Sequence, residues 1–599
     1  MSEAAETPAQ AYRTGLEGST VQVGFWTARG RLVSNARLAC FAALLVAAWL
    51  AFGTRSLAAP WLLVPAAAFA ILVFAHDRVL SRADRAARLQ RFYEDGLARL
   101  EHRFAGRGDQ GLRYLEADHP YARDLDLFGA GSLFERLATT RTPDGSDRLA
   151  GWLLEGAAPD VIRERQAAVA ELRPRLDLRR TLRLCGNEST IPKSPMGGFE
   201  AWARRPADGL PRWVPFVCVA STLLSLGGAA LWIWSGSGPV PFAAALLVQG
   251  GLAWALHGRV GPILEAAATP VEALARISEL LACLERERFA SPLLVRLAGE
   301  LVSTGRPPSQ ELARLRTLID RRDQRRNQFF APFAALLLWG THVAVALEAW
   351  RARCGPRLDV WISVAAEIEA LSALAGFAYE QPDAIFPEIV DDPVCFEGRA
   401  LGHPLIAPER CVRNDLRLGA TPQALVVSGS NMSGKSTFLR TLGCNTVLAL
   451  AGAPVCAEAL RLSPLRIAAS IRIVDSLAEG QSHFMAEILR LRQVVEVSRG
   501  KPPALFLLDE ILHGTNSHDR RIGAEAVIRG LVANGALGLV TTHDLALTQI
   551  VQGSAGRLAN VHFEDHLEDG EMHFDYRVKD GVVTKSNAVA LMRSVGLDV

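Results

Sequence analysis

Lys435 and Ser436 close the run Gly429-Ser430-Asn431-Met432-Ser433-Gly434-Lys435-Ser436, which fits G-x-x-x-x-G-K-[ST]. Such a loop binds phosphate. Its glycines let backbone N–H groups curl around the oxygens, and the helix after it adds the positive end of its dipole. Lys435 is expected to reach the β- and γ-phosphates and Ser436 to hold Mg²⁺. Further on, the apolar run 504–508 ends in Asp509-Glu510. Asp509 is expected in the Mg²⁺ shell, and Glu510 is placed to orient or deprotonate an attacking water. Another apolar run, 537–540, ends in Thr541-Thr542-His543-Asp544. A histidine there can sense the γ-phosphate or polarise the water. Together these residues read as an ATPase that uses ATP and Mg²⁺.

The elements that must position them follow from pattern. Residues 424–428 are apolar and read as a buried strand, and 437–450 read as a helix. That strand–loop–helix order is the context the loop requires. From about residue 386 onward strands and helices alternate, which predicts an α/β domain with nucleotide at the C-terminal ends of its strands.

With 599 residues the chain exceeds one ordinary core, so several domains are expected. A net charge of +2 gives no electrostatic case for nucleic acid. A hydrophobic content of 49% is high for a soluble protein and points to membrane segments. The nine cysteines contain no C-x-x-C, so neither a zinc site nor a disulfide framework is indicated, and reduced thiols are expected.

Four apolar stretches fall into two pairs. Residues 38–54 and 56–75 flank Arg55, and 213–234 and 239–257 flank Ser235-Gly236-Ser237-Gly238. Each is near the length of a membrane-crossing helix. Arg29, Arg31 and Arg37 precede the first pair and Arg78, Arg82, Arg85, Arg88 and Arg91 follow it; Arg204, Arg205, Arg212 and Arg259 bracket the second. By the positive-inside rule both termini and the ATPase face the cytoplasm, giving a multi-pass inner-membrane protein in contact with lipid through four transmembrane helices. A fifth apolar stretch, 329–347, is expected to be a buried core helix, because an odd number of spans would separate the N-terminal arginines from the ATPase. The expected domains are a flexible tail (1–34), hairpin 1 (35–76), a helical half-body (77–212), hairpin 2 (213–258), a second helical half-body (259–385) and the ATPase domain (386–599).

Several segments resemble the MutS family of DNA mismatch-repair ATPases. Gly-Ser-Asn-Met-Ser-Gly-Lys-Ser-Thr, ending at Thr437, is close to that family's phosphate loop. Asp475 to Glu487 fits its D-x-x-x-x-G-x-S-x-F-x-x-E segment, with Gly480, Ser482 and Phe484 in register. Asp509-Glu510 with Gly514-Thr515 and Asp519 fits D-E-x-x-x-G-T-x-x-x-D, and Thr541-Thr542-His543 its switch. Gly402-His403-Pro404, Asn414-Asp415, Asn560-Val561-His562 and Lys585-Ser586 fit further segments. Gly131-Ser132-Leu133-Phe134 through Leu172 resembles the start of its core domain.

The resemblance, which does not cover the hairpins, implies an all-α core/lever body and a C-terminal α/β P-loop (ABC-type) ATPase domain; with the transmembrane hairpins read from hydropathy, the expected fold is multidomain. It implies a homodimer with composite sites, Ser482 reaching the γ-phosphate held by the opposite subunit. It places the adenine contacts near Val412 and His562, with Cys411 where the family carries Phe. It also implies binding of mismatched or branched DNA. The family's mismatch reader uses an N-terminal domain with Phe-x-Glu, for which the tail and membrane segments leave no room; Phe92-Tyr93-Glu94 matches those letters by chance. Two other functions stay open: a membrane scaffold or remodelling ATPase without DNA recognition, and an ABC-like transporter, against which no L-S-G-G-Q is present.

Overall fold

The computed structural model describes residues 6–185, 202–204, 210–211, 213–266, 271–302, 305–324, 331–472, 483–512, 517–568 and 571–583. Two compact units emerge: Met1–Ala138, Ala150–Leu184 and Leu374–Val599 form the first, and Thr139–Leu149 with Cys185–Ala373 the second. The part inserted into the first unit is therefore larger than the second hairpin alone, and the sheet domain shares a unit with the N-terminal helices.

In the first unit, α1 (Pro8–Ala48) and α2 (Leu63–Leu100) form a long hairpin. The expected flexible tail over 1–34 is corrected: from Pro8 onward it is helix. Thr7 and Gln10 close a capping box, with Gln10 N–H donating to Thr7 Oγ1 (3.3 Å) and Thr7 N–H to Gln10 Oε1 (3.1 Å). Pro8 suits the first turn, where its missing N–H costs nothing. Tertiary packing does the rest. Tyr12, Phe92 and Tyr93 form a buried cluster joined by Leu16, Leu89, Leu97 and Tyr379.

Five helical stretches among the described residues are long and apolar enough to cross a membrane: Pro8–Gly53, Ala59–Leu100, Val214–Ser235, Val240–Glu265 and Trp339–Glu380. The apolar windows of the first four are 0%, 0%, 28% and 17% buried, whereas that of the fifth is 83% buried. An apolar helix needs cover from protein or from lipid, and among the described residues the fifth is the one whose window is mostly covered by protein.

The second unit contains the pair Val214–Ser235 and Val240–Ala266, turned through Gly236 and Gly238 at positive φ. Buried Ser225 and Gln249 join the two helices by a 2.5 Å side-chain bond. The Gln249 amide also donates to the carbonyl of Leu336, which ties in the short helix Ala331–Leu336. The stretch 329–347 is thus not one core helix. It breaks after Leu336, with Leu338 at φ +47°, and the long helix Trp339–Glu380 begins there.

The C-terminal part of the first unit holds two sheets. The smaller has the order β1-β5-β2-β3, from β1 (Glu388–Ile389), β2 (Phe396–Leu401), β3 (Asn414–Leu418) and β5 (Ala459–Leu462). The larger has the order β10-β9-β4-β8-β7-β6. Its strands are β4 (Ala424–Ser428), β6 (Arg466–Ser470), β7 (Ala504–Leu508), β8 (Leu537–Thr542), β9 (Leu558–Glu568) and β10 (Glu571–Asp580). All its pairings are parallel except β9 with β10. Strands β4, β7 and β8 are buried along their whole length, which explains their continuous apolar runs. Helices α3 (Lys435–Ala451), α4 (His483–Ser498) and α5 (Ser517–Ala533) follow β4, β6 and β7 in the chain.

Candidate nucleotide site

The loop 429–436 joins the central strand β4 to α3, at the C-terminal edge of the sheet where parallel α/β folds take ligands. Gly429 (φ +155°), Met432 (φ +70°) and Gly434 (φ +100°) give it its curl. Ser430 Oγ and Ser433 Oγ are buried there without a hydrogen-bond partner among the described residues. Lys435 is 4% exposed and its ammonium donates to the carbonyls of Gly429 (2.9 Å) and Ser430 (2.8 Å). It also lies 3.3 Å from Glu510 Oε1. A loop folded this way can give backbone N–H groups and an ammonium to phosphate oxygens.

The two carboxylates stand at the end of β7, and β8 lies between β7 and β4. Thr541, near the end of β8, ties them down. Its hydroxyl donates to Asp509 Oδ1 and accepts from the Glu510 N–H (3.0 Å). His543 Nδ1 lies 3.4 Å from Glu510 Oε2. Lysine, two carboxylates and a histidine, taken from three strand ends, are thus within reach of one another.

A cavity of about 970 Å³ opens beside them. Asn431, Met432, Gly434, Lys435, Ser436, Thr437, Asp509 and Glu510 line it, as does Val412. His562 differs: it is buried on β9, with ring nitrogens near Gly581 O (3.2 Å) and Glu564 Oε1 (3.4 Å), and the next residue, Phe563, lines the cavity instead. Neighbours on a strand face opposite ways, so it is Phe563 and not His562 that faces the cavity. Ser482, the rest of the segment 475–482, Gly514-Thr515 and Lys585-Ser586 lie outside the described residues.

The cavity also contains residues to which no role was given from sequence: His403, Phe438, Glu487, Phe563 and Tyr576. Phe563 packs edge-on against Phe438 at 5.8 Å. Tyr576 (φ +52°) lies on a bulge of β10 and sits against Gly434, where an added Cβ would come within 3.0 Å of its ring. Asn414 holds that bulge by donating to Tyr576 O (3.0 Å) and accepting from the Val578 N–H (2.8 Å). Asn414 carried a signal through the Asn-Asp motif; Tyr576 carried none, because a strand pattern does not reveal a bulge. His403 is held neutral: burial, aided by Arg440, lowers its pKa to about 4. Phe92 and Tyr93, from the Phe-x-Glu letters, are core residues of the α1–α2 hairpin.

A mainly parallel sheet with a G-x-x-x-x-G-K-S loop after its central strand and a carboxylate pair two strands away marks a nucleotide-binding class of α/β fold. Residues 425–598 match the family model for MutS domain V. Over 254 residues the chain is 33% identical to the DNA mismatch repair protein MutS of Brevibacillus brevis, covering 41% of this chain and 29% of that one. Over 230 residues it is 36% identical to the MutS of Exiguobacterium sp., covering 37% and 26%. In its C-terminal part the chain is thus similar to the MutS family of DNA mismatch repair proteins. The match spans less than a third of the length of these relatives.

Proposed function

We propose that this chain is a membrane-anchored ATPase that binds ATP in the 970 Å³ cavity and hydrolyses it to ADP and phosphate with Mg²⁺. The observation that carries this is the meeting of Lys435 and Glu510 at 3.3 Å beside a curled glycine loop. Lys435 would exchange its loop carbonyls for phosphate oxygens. Glu510 would then be released to take the proton of the attacking water, with His543 against its other oxygen. Ser436 and Asp509 both line the cavity and offer hard oxygen donors, which suit a Mg²⁺ that keeps phosphate and water in its shell. Mg²⁺ supplies charge neutralisation at the phosphates.

In this reading both hairpins cross the inner membrane, the ATPase faces the cytoplasm, and two copies pair as a homodimer whose Ser482 completes the partner's site. The exposed apolar windows of the four hairpin helices support the anchoring. The names of the relatives make mismatched or branched DNA the first ligand to try. A second reading, a scaffold or remodelling ATPase without DNA recognition, is favoured by the first unit itself, where a hairpin with exposed apolar windows shares one compact unit with the sheet domain.

The test is steady-state ATP hydrolysis by detergent-purified protein, alone and with homoduplex, mismatched and branched DNA, using Glu510→Ala as the blank. Stimulation by one DNA structure supports the DNA reading. A basal rate indifferent to all of them selects the scaffold. No hydrolysis above the blank refutes the ATPase.

A further inference from the structure

Glu487 is fully buried, one turn into α4. One carboxylate oxygen accepts from the Leu512 backbone N–H. The other has no hydrogen-bond partner among the described residues. Burying a carboxylate costs several kcal/mol unless its oxygens are satisfied, so a half-satisfied one calls for an explanation. Glu487 also lines the cavity beside Asp509 and Glu510.

What Glu487 holds is itself unusual. In the turn after β7, Glu510 (φ +47°) and Leu512 (φ +60°) are both non-glycine residues in the left-handed region. Each such residue is strained and persists only where its surroundings fix it. Thr541 fixes the turn at the Glu510 N–H, and Glu487 fixes it at the Leu512 N–H. The strained turn that carries Glu510 is therefore pinned at one end by a cavity-lining carboxylate whose second oxygen is buried and has no hydrogen-bond partner among the described residues.

We propose that Glu487 is a positioning residue of the nucleotide site: one oxygen holds the Glu510 turn, and the other accepts a hydrogen bond from a water in the shell of the nucleotide-bound divalent cation. Glu487 thereby ties the geometry of Glu510 to the presence of metal with nucleotide. This deepens, and rests on, the reading of the cavity as an ATP site.

The test is binding of a non-hydrolysable ATP analogue with and without Mg²⁺, beside kcat, KM and Tm, for wild type, Glu487→Gln and Glu487→Ala in detergent. Glu487→Gln keeps an acceptor for the Leu512 N–H and loses the charge. It is expected to leave metal-free affinity and Tm near wild type, to weaken Mg²⁺-dependent tightening by about 10–100-fold, and to lower kcat more than it changes KM. Glu487→Ala is expected to lower Tm as well. Glu487→Gln with wild-type Mg²⁺ dependence and kcat overturns the inference and leaves the ATP site standing. Equal weakening with and without metal, together with a lowered Tm, shows a merely structural residue and also overturns it. Wild type that binds no nucleotide removes this inference and the ATP reading together.

Discussion

The Tyr12 hydroxyl donates a 3.1 Å hydrogen bond to Glu380 Oε1, 368 residues away in sequence. Arg99 and Arg136 grip the same carboxylate, with guanidinium nitrogens at 2.7 Å from Oε1 and Oε2 respectively. The start of α1, the end of α2 and the last residue of the helix Trp339–Glu380 therefore converge on one buried charge. Through it the hairpin that carries the first apolar pair is fixed to the chain entering the sheet domain.

Removing that charge leaves two guanidiniums with an uncompensated burial. Glu380→Gln is expected to cost about 3–5 kcal/mol and Tyr12→Phe about 1 kcal/mol, read as shifts in chemical denaturation in detergent. Burial pushes the Glu380 carboxyl up, but Arg99 and Arg136 more than offset this and hold it below its usual range. A depressed carboxyl stabilises the fold above its unfolded value and loses that contribution as pH falls through its folded one. Wild type should thus show acid destabilisation below the ordinary carboxylate range that Glu380→Gln lacks. Identical acid limbs would contradict this.

Tyr12 and Tyr93 set the register of the hairpin by mutual fit. A Cβ on Gly96 would lie 2.5 Å from the Tyr12 ring, and one on Gly15 would lie 2.3 Å from the Tyr93 ring. Gly96→Ala and Gly15→Ala are each expected to cost about 1–3 kcal/mol through overpacking. Gly18→Ala, where nothing lies near, is the control and should be neutral or slightly stabilising in the same unfolding assay.

At the candidate site, Lys435→Ala is expected to abolish nucleotide binding in equilibrium titration. Glu510→Ala is expected to bind ATP and to lower hydrolysis by about 10²–10⁴-fold, the usual worth of a general base. Hydrolysis by Glu510→Ala at the wild-type rate would refute the role given to Glu510.

In the second unit, burial raises the Glu369 carboxyl to about 7, against hydrogen bonds from the Thr142 hydroxyl and the N–H groups of Arg141 and Thr142. The folded state then holds a proton that the unfolded state has lost, so stability falls as pH rises from the ordinary carboxyl value of 4.5 to about 7 and is flat above. Glu369→Gln should remove that slope. A denaturation series across this window decides it, and an unchanged slope would exclude Glu369 as its source.

The membrane reading predicts that the protein stays in the pellet after an alkaline carbonate wash. Ser56→Cys, in the turn of the first hairpin, should react with an impermeant maleimide added outside intact cells. Release by carbonate would reject spanning helices.

Residue type and spacing alone marked the candidate site. The glycine loop, Asp509-Glu510 and His543 announce themselves because phosphate binding needs glycine geometry and a lysine at a fixed interval, whatever surrounds them. Length and hydropathy likewise marked the four apolar helices, since both are properties of a segment taken by itself. The tertiary structure decided the rest, because it depends on partners far apart in sequence. The polar run from Pro8 is helix because Tyr12 and Tyr93 find glycine notches across the hairpin. Phe563 rather than His562 faces the cavity because register sets which way a strand residue points. Glu487 acquires its place only when α4 sets it against Leu512, a pairing that no local pattern could encode.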